Sequence, residues 1–328
     1  MREREEFTTL DAMRGVAAIA VMLFHVDGLG SAIAPGGFMA VDIFFVMSGF
    51  VIARAYRERL AGGMAVGAFM RRRIIRLLPM LLSGAVLGMT LFGGHAGLLL
   101  LVPDFTSEHN LFPANPPFWS LFFEALFYAA FAAAGWRLRP RALLAIIFCG
   151  GTILALATLS PEPFRDYGTS WHYPVQGVAR VSVGFAWGLL LHWAFESGAL
   201  RCRETKLGWL PIAAFVALAI IFPAGSQIPP LLCITIVLPF IVALAISWRV
   251  PQGTLTSPLA ALSYPLYCIH MPLIAWLATD TASVLLLIVA LPAASLALER
   301  FYERPARQWL ERLWPEYDCA NGVRHASA

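Results

Sequence analysis

FMAVDIFFVMSGFVIARAY, residues 38–56, carries only Asp42 and Arg54 as charged side chains, over a run long enough to cross a hydrocarbon core about 30 Å thick. Working outward from it, comparable apolar runs lie near 10–29, 77–100, 118–136, 142–159, 178–197, 208–223, 228–248, 258–279 and 281–299. No long hydrophilic stretch separates them. The pattern predicts an all-α polytopic membrane protein: one domain over 1–328, a bundle of about ten transmembrane helices, and a cytoplasmic tail at 300–328. Composition agrees, because 13% of the residues are charged, about half of the roughly 25% usual in a soluble domain.

Charge sorts the connections. Those after the second, fourth, sixth and eighth runs hold Arg57, Arg59, Arg71, Arg72, Arg73 and Arg76, then Arg137, Arg139 and Arg141, then Arg201, Arg203 and Lys206, then Arg249. The connections on the other side hold only Arg165. The positive-inside rule then places both termini in the cytoplasm and favours an even number of spans. The mixed-charge head Met1–Glu6 is followed by no small-residue cleavage site, so the first run reads as a retained span rather than a signal peptide. The five cysteines, at 149, 202, 233, 268 and 319, have no paired spacing and indicate neither a disulfide framework nor a zinc site. No metal and no nucleic-acid partner is expected. Two outer loops stand out, 101–117 (LVPDFTSEHNLFPANPP) and 160–177 with Trp171, His172 and Tyr173. They suit an interfacial aromatic belt or the mouth of a site.

Ionisable side chains inside a membrane are expensive and normally face the bundle interior. LDAMRGVAAIAVMLFHVDG places Arg14 and His25 eleven residues apart, about three helical turns and nearly one face. Asp42 enters the second span at the depth of His25, and the Ser48–Gly49 step beyond it permits close approach of a helix or a ligand. FWSLFFEALFY sets Glu124 about two turns inside the outer surface. The depth reading therefore brings His25, Asp42 and Glu124 together. A histidine beside a carboxylate is a general base, able to take a proton from a hydroxyl as it attacks a thioester; the alternative is a pair that merely satisfies itself. Asp42, Glu124 and Asp27 all remain open as the partner of His25. Arg71, Arg73 and Arg76 would bind a polyphosphate at the inner face through guanidinium forks, or only set topology and touch anionic lipid. His270, in LSYPLYCIHMPLIAWL, and Glu299, Glu303 and Arg307 near the end are secondary candidates.

Five segments together resemble the membrane-bound acyltransferase family 3, which includes bacterial O-acetyltransferases of O-antigen and exopolysaccharide. They are LDAMRGVAAIAVMLFH, FFVMSGFVI at 44–52, RRRIIRLLP at 71–79, FWSLFFEALFY at 118–128 and SYPLYCIH at 263–270. The resemblance implies His25 as the essential histidine, with Arg14 organising the channel below it. It implies Arg71, Arg73 and Arg76 near the acyl-CoA, and Glu124 as a catalytic or structural carboxylate of the WSL-x-x-E element. Ser48, Trp119 and His270 complete the expected substrate-binding set. On this expectation acetyl-CoA or another acyl-CoA is the donor substrate, no cofactor is permanently bound, and the acceptor is a glycan or lipid-linked saccharide at the bacterial inner membrane. Membrane lipids surround the bundle. Some relatives carry a C-terminal esterase-like domain, which the resemblance does not extend to here. A transporter or flippase without covalent chemistry, and an acyltransferase for small molecules, are the competing readings.

Overall fold

A computed structural model describes residues 7–26, 30–160, 163–222, 228–251, 253 and 255–315. Its principal helices are α1 (Thr8–Phe24), α2 (Ala40–Ala61), α3 (Val66–Phe92), α4 (Phe118–Ala133), α5 (Pro140–Ala157), α6 (Pro174–Glu196), α7 (Trp209–Ile221), α8 (Pro230–Ser247), α9 (Thr256–Leu277) and α10 (Thr281–Leu313). Among the described residues, seven helices are long and apolar enough to cross a membrane: α2 (counted with the turn before it), α3, α5, α6, α8, α9 and α10. The helices α1, α4 and α7, with 17, 16 and 13 residues, are shorter and occupy the places of the first, fourth and seventh expected runs. The head 1–6, Asp27 and the end of the tail from 316 lie outside the described residues.

Local chemistry sets the helix starts. Pro140 and Pro174 open α5 and α6 at the first helical position, where the missing N–H is not needed. Asp280 caps α10 by accepting from Ser283 N at 2.8 Å, and Ser283 Oγ accepts from Asp280 N at 3.0 Å, a reciprocal capping box. One boundary differs from the expectation in a way that matters. The third helix begins at Val66 rather than near 77, so the arginine run lies on its first turns. Arg73 and Arg76, three residues apart, then share one face, while Arg71 points elsewhere.

The centre of the bundle is α2, whose apolar window is 72% buried, against 17% for α5 and for α10 at the periphery. α2 crosses α6 at backbone contact: a Cβ on Gly49 would lie 2.3 Å from Phe185 O, and one on Gly188 2.2 Å from Val46 O. The close approach expected of the Ser48–Gly49 step is thus to a helix, and it depends on glycine at both positions. α1 lies against α9 in the same manner, Gly15 over Leu259 O. Proline bends α9. Pro272 cannot donate to the carbonyl of Cys268, and Asn115 Nδ2, from the 101–117 loop, takes that carbonyl at 2.9 Å. The loop is therefore built into the bundle.

The two ends of α1 mark the two ends of the molecule. At its start, Thr9 Oγ1 donates to Trp248 O at 2.7 Å and accepts from Val250 N at 2.9 Å, beside a two-residue parallel pair, β1 (Arg203–Glu204) with β2 (Trp248–Arg249). At the other end, the loops around 110 and 170 join through Leu111 N to Thr169 O (3.0 Å), Trp171 N to His109 O (2.8 Å) and Trp171 Nε1 to Asp104 O (3.0 Å). Thr106 donates to Asp104 from its N–H and its hydroxyl, and this holds that exposed carboxyl below the usual carboxylate range. Trp171 stacks on Phe105, with ring centroids 5.1 Å apart.

Candidate active site

Two cavities occupy the bundle. The first, about 110 Å³, opens among α1, α2, α3, α4 and α9 and is lined by Arg14, Ser48, Arg73, Arg76, Glu124 and Tyr128. Its basic character follows from the early start of α3, which turns Arg73 and Arg76 into the bundle, where they meet Arg14 from α1. Arg76 also lies within electrostatic range of Arg307, and buried Glu303, within the wide turn of α10, is in range of Arg14, Arg76 and Arg307. Among the lining residues, the guanidiniums of Arg14, Arg73 and Arg76 against the single carboxylate of Glu124 leave this cavity net positive. Arg71, expected with Arg73 and Arg76, does not line it; its guanidinium donates to the backbone carbonyl of Trp314.

One wall of this cavity is a hydrogen-bonded polar cluster. Ser48 Oγ donates to Glu124 Oε1 at 2.5 Å and lies 2.6 Å from Tyr128 Oη. Tyr128 also donates to Glu124 and accepts from Arg73 Nη2 at 2.8 Å, with the guanidinium of Arg73 over its ring at 4.3 Å. The sequence already contained this link, because Glu124 and Tyr128 are four residues apart on α4 and so share a face. Buried Arg73 Nε has no hydrogen-bond partner among the described residues. A buried donor left unmade is costly, and here it borders a cavity.

The second cavity, about 500 Å³, lies at the other end and is lined by His25, Asn110, Trp119, Arg165, Thr169 and Arg180, among others. The 101–117 and 160–177 loops form its mouth, so their polar residues serve a cavity as well as an interface. His25 stands at the end of α1 with Nδ1 2.8 Å from Val21 O and 3.2 Å from His270 Nε2. His270 is fully buried, and its Nδ1 lies 3.0 Å from Leu266 O and 2.9 Å from Tyr267 O. A carbonyl only accepts, so the His270 proton sits on Nδ1 and its Nε2 is an acceptor. His25 Nδ1 is then the donor, and the basic lone pair of His25 falls on Nε2. The network makes this assignment. His270, expected to contact substrate, instead fixes the tautomer of His25.

The expected meeting of His25, Asp42 and Glu124 is corrected by these contacts. Asp42 is held by Arg180, which donates from Nε to Oδ1 and from Nη2 to Oδ2, both at 2.7 Å, with each side chain 1% exposed. Arg180 donates further to Arg165 O and Tyr167 O, each at 3.3 Å, and its guanidinium lies 5.4 Å from the Trp119 ring centroid. Asp42 therefore serves a structural ion pair, and Trp119 packs against that pair as well as lining the outer cavity. Glu124 belongs to the other cavity. Depth along a helix placed the three groups at one level; the direction each helix presents its side chains separated them. Arg180 was missed in the sequence, although an arginine inside an apolar run demands a buried acid and Asp42 was the acid at that depth.

A family model described as an acyltransferase domain matches residues 7–298. Protein 2 in picA locus of Rhizobium radiobacter is 30% identical over 182 residues, which cover 47% of this chain and 95% of that protein. Acyltransferase MdmB of Streptomyces mycarofaciens is 30% identical over 149 residues, 38% of each chain. A Staphylococcus aureus (strain COL) protein with O-acetyltransferase in its name is 34% identical over 93 residues, 28% of this chain and 14% of that one. The chain thus spans less than half the length of the latter two. No solved structure matches. Since the family model runs from the residue before α1 into the last apolar turns of α10, and so takes in both cavities, the chain belongs to the membrane-bound acyltransferase family 3.

Proposed function

We propose that this membrane acyltransferase takes an acyl group, acetyl in the first instance, from acyl-CoA entering the arginine-lined cavity. The group passes to a hydroxyl of a cell-surface glycan or lipid-linked saccharide held in the outer cavity. The observation that carries the reading is the division of labour between the two cavities: one is net positive with an unsatisfied guanidinium N–H, and the other holds the histidine pair. In the same reading all ten helices cross the bacterial inner membrane, both termini are cytoplasmic, and the arginine-lined cavity faces the cytoplasm, where CoA is made. Even basic loops and the shared end of Thr9, β1 and β2 support that orientation.

The chemistry is a direct acyl transfer. His25 Nε2 takes the proton of the acceptor hydroxyl while the oxygen attacks the thioester carbonyl carbon. The tetrahedral intermediate collapses with loss of the C–S bond, and the imidazolium returns the proton to the departing thiolate of CoA. His270 keeps the Nδ1–H of His25 directed away from the reaction. The arginines hold phosphates by charge-assisted hydrogen bonds, and the Glu124–Tyr128–Ser48 cluster sets the position of Arg73.

The test is label transfer from radiolabelled acetyl-CoA into a glycolipid extract of the host, with the purified protein in nanodiscs. A His25→Ala variant is expected to insert and stay monodisperse while transfer falls by roughly 10²- to 10⁴-fold, the contribution of a general base. Undiminished transfer by that variant removes His25 from the chemistry.

A further inference from the structure

The donor and acceptor cavities are separate, yet their walls share Val41 of α2 and Tyr267 of α9. A thioester arriving beside the arginines meets these two side chains before it reaches His25. Both are buried, Val41 at 6% and Tyr267 at 5% exposure. The phenol ring stands edge-on to Phe44, with centroids 6.0 Å apart. Its hydroxyl lies 2.5 Å from Ser120 Oγ and 2.9 Å from Pro117 O, and Ser120 Oγ lies 3.1 Å from that same carbonyl.

The three-way contact has a consequence for movement. Two hydroxyl protons serve three contacts among Tyr267, Ser120 and Pro117, so one contact is redundant. If the phenol swings away, Ser120 still donates to Pro117 O, and neither the serine nor the carbonyl is left unsatisfied. Opening therefore strands no buried polar group except the phenol itself. The ring backbone is fixed at the same time, because Tyr267 O accepts from His270 Nδ1.

Resting on the proposed donor and acceptor assignment, we infer that Tyr267 and Val41 form the partition between the two cavities. They set the size of the acyl group that can cross, restricting the enzyme to short, unbranched acyl-CoA. Tyr267 is the movable latch, held at its hydroxyl, and Val41 is the opposing wall. Selection by such a wall works through excluded volume, where one methylene changes discrimination by about tenfold or more.

The experiment compares acetyl-CoA with butyryl-CoA in the label-transfer assay, reading the ratio of the two kcat/KM values. Val41→Ala is expected to raise the butyryl-to-acetyl ratio by about tenfold or more, and Tyr267→Ala to raise it further. Val41→Leu, a volume change of the opposite sign, is expected to lower it. Equilibrium binding of CoA itself by Val41→Leu is expected to match the wild type, because the arginines lie on the donor side of the partition. A ratio unmoved within twofold in Val41→Ala and Tyr267→Ala, or moved in the same direction by Val41→Ala and Val41→Leu, overturns the partition. Tyr267→Phe separates the latch from an electrostatic role. Equal loss of rate for both acyl groups, with no change in ratio in any of these variants, overturns size selection. A wild-type protein that transfers no acyl group from any CoA thioester refutes the proposed function instead, which keeps the two failures apart.

Discussion

Arg180 and Arg73 are both arginines carried into a helical bundle, and they differ in what faces them. Arg180 meets Asp42 through two 2.7 Å bonds, has further carbonyl acceptors, and is 1% exposed. Arg73 meets a phenol, reaches a carboxylate only through it, and keeps an unsatisfied Nε beside a cavity with Arg14 and Arg76. The first arginine is balanced within the protein and locks α2 to α6. The second lacks a direct counter-charge, and a phosphate would supply one. Charge balance, more than depth or residue type, separates the arginine that builds the fold from the arginine that lines a cavity with an unsatisfied donor.

Substitutions can break this contrast. The largest effect is expected at the locked pair. Asp42→Ala leaves Arg180 charged and buried, a loss of about 3–5 kcal/mol visible as a fall in thermal unfolding temperature in detergent. The double variant Asp42→Leu, Arg180→Met should recover much of it. If Asp42→Asn is instead as stable as wild type and inactive, Asp42 acts at the reaction centre and the contrast fails. Next comes the histidine pair. His270→Ala is expected to lower kcat on the order of 10²-fold, the lower part of the range for a general base. KM for acyl-CoA should be unchanged, and a rise in KM alone would assign His270 to donor binding.

Smaller effects sharpen the other half. Arg73→Ala and Arg76→Ala should each raise KM for acyl-CoA about tenfold, the worth of a charged hydrogen bond. The gap to wild type should narrow as salt screens the site. Arg71→Ala, whose guanidinium donates to the carbonyl of Trp314 and does not line the cavity, should change KM by less than about twofold. If Arg71→Ala matches Arg73→Ala, the arginines act as a diffuse basic patch and not as a lined cavity.

Much of this was legible in the order of residues. Apolar runs located the helices, because the bilayer acts on each segment separately and leaves its mark locally. His25 and Arg14 could be named from one helix and the motifs around them. The pairing of Asp42 with Arg180 could not be read with the same ease: its residues are 138 apart, and two helices at one depth still present side chains in different directions. The same holds for His270 beside His25, 245 residues away, and for the exclusion of Arg71, which turned on where α3 begins.

The sequence by itself determined that this chain is helical, apolar and built on acyltransferase motifs, since period, composition and short motifs are properties of neighbouring residues. Only the tertiary structure decided which charges are spent on each other, which tautomer His25 holds, and that two cavities meet at Val41 and Tyr267. Those depend on the rotation and spacing of packed helices, set where Gly49 meets Gly188 and Gly15 meets Leu259, and packing of that kind is a relation between distant segments that no single stretch contains.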